Sequence, residues 1–391
     1  MDGYAPEQLR NCGADDQTHR NVHSGEPLPA DIVCASDYIG HARYRLDPAL
    51  LAYVDGGSGE QLTLDANRDA FRQIGLYNRV LSDCAHGSTA TRLLGRPLRH
   101  PILLAPVALQ RMLHADGELA VARAAAATDT PMVVSTLASC TLEAIADEGP
   151  EPWLQLYLQP RRAANEALLE RAVRAGYRAI VVTLDAPVQS PNRAALRLGF
   201  KVPSGVRAVN LPADTPIPQP GPEGSRIFQG LMARAPRWQD LAWLLDASPL
   251  PVLAKGVSHP DDAEALLRLG VAGIVVSNHG GRALDGLPAS LALLPAIRAR
   301  VGAHYPLLLD GGIRSGSDVF KALALGANAV LVGRLQVHAL AVAGALGVAH
   351  MLKLLREELE LTMALTGAAS IADIAPSRLH FPPGCGIPRC C

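Results

Sequence analysis

Eight short apolar runs recur along the middle of the chain, each followed by a stretch with helical spacing. They are Pro101–Ala105, Met132–Ser135, Trp153–Tyr157, Ala179–Leu184, Pro251–Ala254, Gly273–Ser277, Leu307–Asp310 and Ala329–Gly333. Runs this short, and often β-branched, read as strands buried on both faces, as a parallel sheet requires. The intervening stretches, such as Gly117–Thr128 and Glu166–Ala175, carry alanine, leucine and charges at helical intervals. Most of the runs start about 20–35 residues apart, the length of one βα unit. Eight such units close into a (β/α)8 barrel, and a chain of 391 residues holds one with extensions. A doubly wound open sheet is the rival, but no GxGxxG follows the first run. The expected plan is an α/β barrel domain over 31–375 with an N-terminal helical extension. Residues 1–30 and 376–391, rich in polar residues or in Pro and Gly, are expected to be flexible ends.

One interval breaks the rhythm. The connection between the fourth and fifth runs is long, and Lys201–Arg226 within it is rich in Pro, Gly and Ser. A long irregular insertion after a barrel strand usually covers the active site, so 188–237 is expected to form a lid, with a surface loop as the alternative. Its lack of a long apolar or strongly basic segment argues against membrane docking.

Bulk properties narrow the partners. A net charge of −1 argues against nucleic acid or an anionic membrane. Seven cysteines without a framework suit a reducing compartment. No continuous apolar run approaches the roughly 20 residues that cross a bilayer, and the first 30 residues show no signal peptide. The expected location is the cytoplasm. Cys385, Cys390 and Cys391 lack the histidine or second CxxC that a metal site needs, so no metal is expected.

In a barrel, the C-terminal ends of the strands carry the chemistry. Here they supply Gln155 and Tyr157, Thr183 and Asp185, Lys255, His279 and Arg282, then Asp310-Gly311-Gly312-Ile313-Arg314 and Gly333-Arg334. A histidine that titrates near neutral pH, three residues from a guanidinium, suits an anionic substrate that must lose a proton. Glycine–arginine loops after the seventh and eighth strands suit a phosphorylated ligand. Each residue has a structural alternative: a turn for Asp185, a paired core lysine for Lys255, packing for Tyr157, helix bridging for Arg314 and Arg334, and a loop histidine for His279. Their convergence on one rim favours the chemical reading.

From about Asp37 to Ile374 the chain resembles the FMN-dependent α-hydroxy acid oxidase/dehydrogenase family. The resemblance rests on Ser277-Asn278-His279-Gly280-Gly281-Arg282, Asp310-Gly311-Gly312-Ile313-Arg314, Gln155-Leu156-Tyr157, Lys255-Gly256, Tyr53-Val54-Asp55-Gly56-Gly57 and Asn67-Arg68. It implies FMN as cofactor and often a homotetramer. It further implies His279 as the base, Asp185 as its charge partner, Arg282 and Tyr53 on the substrate carboxylate, and Tyr157 on the substrate hydroxyl. Lys255 would sit at the flavin N1/O2 edge. Ala105, Pro106, Val107, Ala108, Ser135, Gln155, Thr183 and Ser277 would cradle the ring. Asp310 would meet the ribityl chain, with Gly312, Arg314, Gly333 and Arg334 at the phosphate end.

Two positions depart from the family pattern. Asn192 stands where the family places a carboxylate-binding arginine, and Arg193 is one residue late; Arg193 is nevertheless expected at the substrate. Leu137 stands where glycolate-type members have Trp, which opens space for lactate or a larger, even aromatic, acid such as mandelate. The expected reaction is oxidation of an L-2-hydroxy acid to the 2-oxo acid, with O2 reduced to H2O2. The alternatives are a dehydrogenase or decarboxylating monooxygenase, an FMN-dependent isomerase, and an FMN-binding protein without turnover.

Overall fold

The computed structural model describes residues 27–149, 151–211 and 224–387. The eight expected strands form one parallel sheet. They are β1 (Ile102–Leu104), β2 (Val133–Ser135), β3 (Trp153–Leu156), β4 (Ile180–Thr183), β5 (Val252–Val257), β6 (Gly273–Val276), β7 (Leu307–Asp310) and β8 (Ala329–Val332). Neighbours in sequence are neighbours in space, β8 pairs with β1, and a parallel bridge from Leu104 to Met132 joins β1 to β2 and closes the barrel.

Alternation along the strands divides the core in two. Leu103, Val133, Trp153, Val181, Leu253, Val275, Leu308 and Leu331 point inward and pack with one another; a short hairpin (Thr91–Leu93 with Arg96–Leu98) adds Leu93 and closes the N-terminal end. Their neighbours, such as Ile102, Leu104, Val134, Leu154 and Val182, point outward into the larger core shared with the helices. The barrel interior is therefore filled, and only its C-terminal mouth is open to chemistry.

Among the described residues, three helices precede the barrel: α1 (Asp37–Arg45), α2 (Pro48–Asp55) and α3 (Leu62–Arg72). Asp47 accepts hydrogen bonds from the Ala49 and Leu50 amides, and Pro48 pre-sets the first turn, so α2 begins sharply. After β8, α4 (Arg334–Thr366) runs beneath α1, broken by non-helical backbone at Ala343 and Gly344. This helix is long and apolar enough to cross a membrane, which continuous runs in the sequence did not suggest, yet most of its apolar stretch is buried in the fold.

The described chain ends differently from expectation. The segment from 376 is not a free tail: Leu379–His380 pairs antiparallel with Gly75–Leu76, and Leu379 and Ile387 are buried. Two apolar side chains found partners that no local pattern announces. Of the expected flexible ends, residues 1–26 and 388–391 lie outside the described residues, as do 212–223 of the expected lid. The described part of that connection places Val202, Val206, Ala208 and Leu211 against Leu137 and Leu109.

Candidate active site

Two residues beyond each inward apolar side chain, the next inward position is Ala105, Ser135, Gln155, Thr183, Lys255, Ser277, Asp310 or Gly333. One step higher come Val107, Leu137, Tyr157, Asp185, His279 and Gly312. The change from an apolar to a polar layer marks the floor of a large cavity at the mouth.

The floor carries two hydrogen-bonded runs of side chains. The Ser135 hydroxyl donates to Gln155 Oε1 at 3.1 Å, and Gln155 Nε2 donates to Thr183 Oγ1 at 3.0 Å. Lys255 Nζ lies 2.9 Å from Asp310 Oδ2 and donates to Ser277 Oγ at 3.2 Å. Burial opposes the Lys255 charge, but Asp310 and Asp185 outweigh it and hold the ammonium above its ordinary pKa. Ser277 is fully buried in this inward layer, and its hydroxyl also accepts from the His279 amide at 3.0 Å. It supports two site residues.

The upper layer holds a hydrogen-bonded group of His279, Asp185 and Tyr157. His279 Nδ1 lies 2.9 Å from Asp185 Oδ1, and Nε2 lies 3.4 Å from the Tyr157 hydroxyl. Asp185 packs behind the imidazole because Gly256 carries no side chain there; a Cβ at Gly256 would fall 2.4 Å from the Asp185 carboxyl carbon. Burial alone would raise Asp185, yet His279 and Lys255 outweigh it, so this acid sits below the usual carboxylate range and is ionised. An anion on Nδ1 favours the tautomer with its proton there and leaves the Nε2 lone pair toward the cavity, where it can accept a proton. Burial pushes the Tyr157 phenol above its ordinary pKa, so it remains a neutral donor. His279 itself adopts left-handed backbone at φ 58°, a costly conformation for a non-glycine residue that clusters at functional sites.

Arg282 stands beside this group. Its guanidinium lies 4.8 Å from the centre of the Tyr53 ring, which in turn stacks on Phe200 at 4.4 Å. Arg282 Nη1 donates to the Val54 carbonyl at 3.0 Å, which aims the rest of its fork into the cavity. Leu137, Val107, Ala108 and Met112 form the apolar wall.

Arg193 is not on the wall. Asn192 Oδ1 accepts from the Ala195 amide and caps a short helix (Arg193–Arg197), so Arg193 becomes its first residue and turns outward to pair with Glu60. The expected substrate role of Arg193 is thereby corrected. Asn192 does line the cavity, but its amide donates to the Ala52 carbonyl at 2.9 Å. Gln189 and Ser190, also on the wall, were missed; nothing in the local sequence marks them.

At the far end of the cavity, Gly312 leaves room where a Cβ would fall 2.2 Å from the Asn67 carbonyl oxygen. Arg314 and Arg334 line this end, and neither has an ion-pair partner among the described residues. Burial, reinforced by repulsion from Arg68, pulls the Arg314 guanidinium down to about 10. Burial and repulsion from Arg282 and Arg314 pull Arg334 well below its ordinary value. Arg314 Nε and Asp310 Oδ1 are buried without a hydrogen-bond partner. Buried guanidinium groups without a directly paired anion and an orphaned acceptor are costly, and a phosphate with an adjacent hydroxylated chain would satisfy both.

The FMN-dependent dehydrogenase family matches residues 42–381. The chain belongs to this family. FMN is therefore its cofactor, and the orphaned groups at Asp310 and Arg314, beside the buried Arg334 guanidinium, fit the ribityl phosphate. Relatives of this family member include an L-lactate oxidase of Alicycliphilus denitrificans, 56% identical over 90% of this chain and 97% of the relative. The human 2-hydroxyacid oxidase 1 is 39% identical over 88% of this chain and 95% of its own length. Among solved structures, mandelate oxidase with (S)-2-phenylpropionate is 39% identical, with a TM-score of 0.81 over 89% of this chain and 98% of that one.

Proposed function

We propose that this family member oxidises a lactate-type L-2-hydroxy acid to the 2-oxo acid and reduces O2 to H2O2. The observation that carries the reading is the set His279, Asp185, Tyr157 and Arg282 at one end of a cavity whose other end fits FMN phosphate.

Arg282 and Tyr53 hold the substrate carboxylate, with the guanidinium as the charge-assisted donor. This places the 2-hydroxyl between Tyr157 and His279 Nε2. His279 takes the hydroxyl proton at Nε2, and Asp185 on Nδ1 stabilises the resulting imidazolium. Tyr157 donates to the oxygen that becomes the carbonyl. FMN, when bound, supplies the two-electron acceptor from which the electrons pass to oxygen, and the Lys255 ammonium offers a fixed cation at the cavity floor. Two electrons and two protons leave the hydroxy acid and appear in one H2O2.

Substrate size follows from the wall. Leu137, with Leu109 and Val206 behind it, faces the cavity with apolar atoms only. Such a wall favours a methyl or larger side chain over glycolate, and discriminates by only about 1–3 kcal/mol per methylene. The relatives named L-lactate oxidase support lactate as the reference substrate. A homotetramer and a cytoplasmic location complete the proposal; the exposed apolar side chains Val80, Leu81, Leu361 and Leu365 support assembly. Oxygen consumption with L-lactate tests the reaction: one H2O2 per pyruvate is expected, and pyruvate formed without peroxide would exclude oxygen as the acceptor.

A further inference from the structure

A second histidine–aspartate pair lies away from the reacting atoms. Asp55 Oδ1 and His338 Nε2 are 2.7 Å apart, and the His338 side chain is only 1% exposed. Asp55 ends α2 and His338 sits one helical turn after Arg334 on α4, so the contact ties the two helices together. The residues on either side of Asp55 carry a particular load. The Val54 carbonyl accepts from Arg282 Nη1 at 3.0 Å and from Arg334 Nε at 3.1 Å. The Gly56 carbonyl accepts from Arg334 Nη2 at 3.0 Å and from Arg282 Nη1 at 3.4 Å. Residues 54–56 thus form a rail from which the carboxylate-facing arginine and the phosphate-facing arginine both hang.

Asn192 braces the rail from the other side. Its amide donates to the Ala52 carbonyl one turn earlier in α2, and a Cβ at Gly56 would lie 2.5 Å from Asn192 Nδ2. The side chain that replaces a carboxylate-binding arginine is therefore committed to holding α2. Arg334 Nη1 also donates to the Gly280 carbonyl at 2.9 Å, next to the base, so the rail reaches the His279 loop as well.

We infer that Asp55 and His338 are positioning residues that fix this rail and so couple occupancy of the FMN phosphate end to binding of the substrate carboxylate. The inference rests on the proposed reading for the carboxylate at Arg282, and on family membership for FMN. Neither residue touches the reacting atoms. A shift of the rail moves both guanidinium groups together, whereas loss of either arginine alone would not. By linkage, FMN and a bound carboxylate then strengthen each other's binding by the same factor.

The test uses the holoenzyme and reads FMN released at equilibrium on dilution, by flavin fluorescence, with and without saturating pyruvate as the 2-oxo acid probe. In the unaltered protein pyruvate should tighten FMN retention about fivefold or more. In His338→Phe and Asp55→Ala, FMN should be held less tightly and the pyruvate effect should fall below about twofold, with KM for lactate raised more than kcat is lowered. His338→Gln, which keeps a donor near the Nε2 position, should restore much of both. An undiminished pyruvate effect in either soluble variant overturns the coupling, as does a pyruvate-perturbed flavin spectrum with no change in FMN retention in the unaltered protein. If pyruvate does not perturb that spectrum at all, the carboxylate reading fails; FMN retention in the variants then decides alone, and unchanged retention overturns the role of the pair.

Discussion

The two histidine–aspartate pairs of this protein have nearly the same length, 2.9 Å for His279 with Asp185 and 2.7 Å for His338 with Asp55. They differ in what the second ring nitrogen meets. His279 Nε2 faces the cavity beside Tyr157, whereas His338 Nδ1 is buried with no partner. The first pair therefore has a proton site open to a ligand, and the second has only a contact between two helices. The same chemical pair can serve as a base or as a fastening according to its surroundings.

Substitutions can break that contrast. His279→Ala should retain bound FMN and its absorbance but slow flavin reduction by about 10²–10⁴-fold; reduction at the original rate would remove His279 as the base. His338→Phe should leave the rate of reduction at saturating substrate within a few-fold. Asp185→Asn keeps a side chain of the same shape but removes the anion, and should slow reduction about 10²-fold. Since Asp185 is held below its ordinary range, its stabilising contribution is present above an unfolded pKa of about 4 and is lost as pH falls through the lower folded value. Asp185→Asn should accordingly flatten the acid limb of Tm against pH, and an unchanged limb would contradict the ion pairing.

Smaller effects sharpen the substrate end. Leu137→Trp should fill the apolar wall and lower kcat/KM for mandelate by about tenfold more than for lactate. Equal losses for both acids would place Leu137 outside the side-chain pocket. Arg193→Ala should change KM by less than about twofold, because an exposed pair with Glu60 contributes little. A sharp rise in KM would bring Arg193 back to the carboxylate.

The strand order was legible in the sequence from its short apolar runs, and the candidate site residues from the polar positions and family motifs at their C-terminal ends; alternation along the strands explains why both fall together. Knowing that Leu103, Val133 and Val181 face inward places Ala105, Ser135 and Thr183 on the floor, and Leu137 and Asp185 above it. What escaped depends on events outside that rule. Arg193 turned outward because Asn192 caps a five-residue helix, a choice that one residue of register decides. The Ser277 hydroxyl accepts from Lys255 and the His279 amide, contacts that only side-chain geometry reveals. The buried Leu379 and the Asp55–His338 contact join segments far apart in the chain, with no spacing to announce them.

The proposed chemistry is removal of a proton by His279 from a 2-hydroxy acid whose electrons leave through FMN. Its most direct test is anaerobic mixing of the holoenzyme with L- and D-lactate and L-mandelate while flavin absorbance is followed. Rapid bleaching by the L-acids, absent with D-lactate and lost in His279→Ala, is the predicted result. A flavin that stays oxidised with every acid would contradict the account.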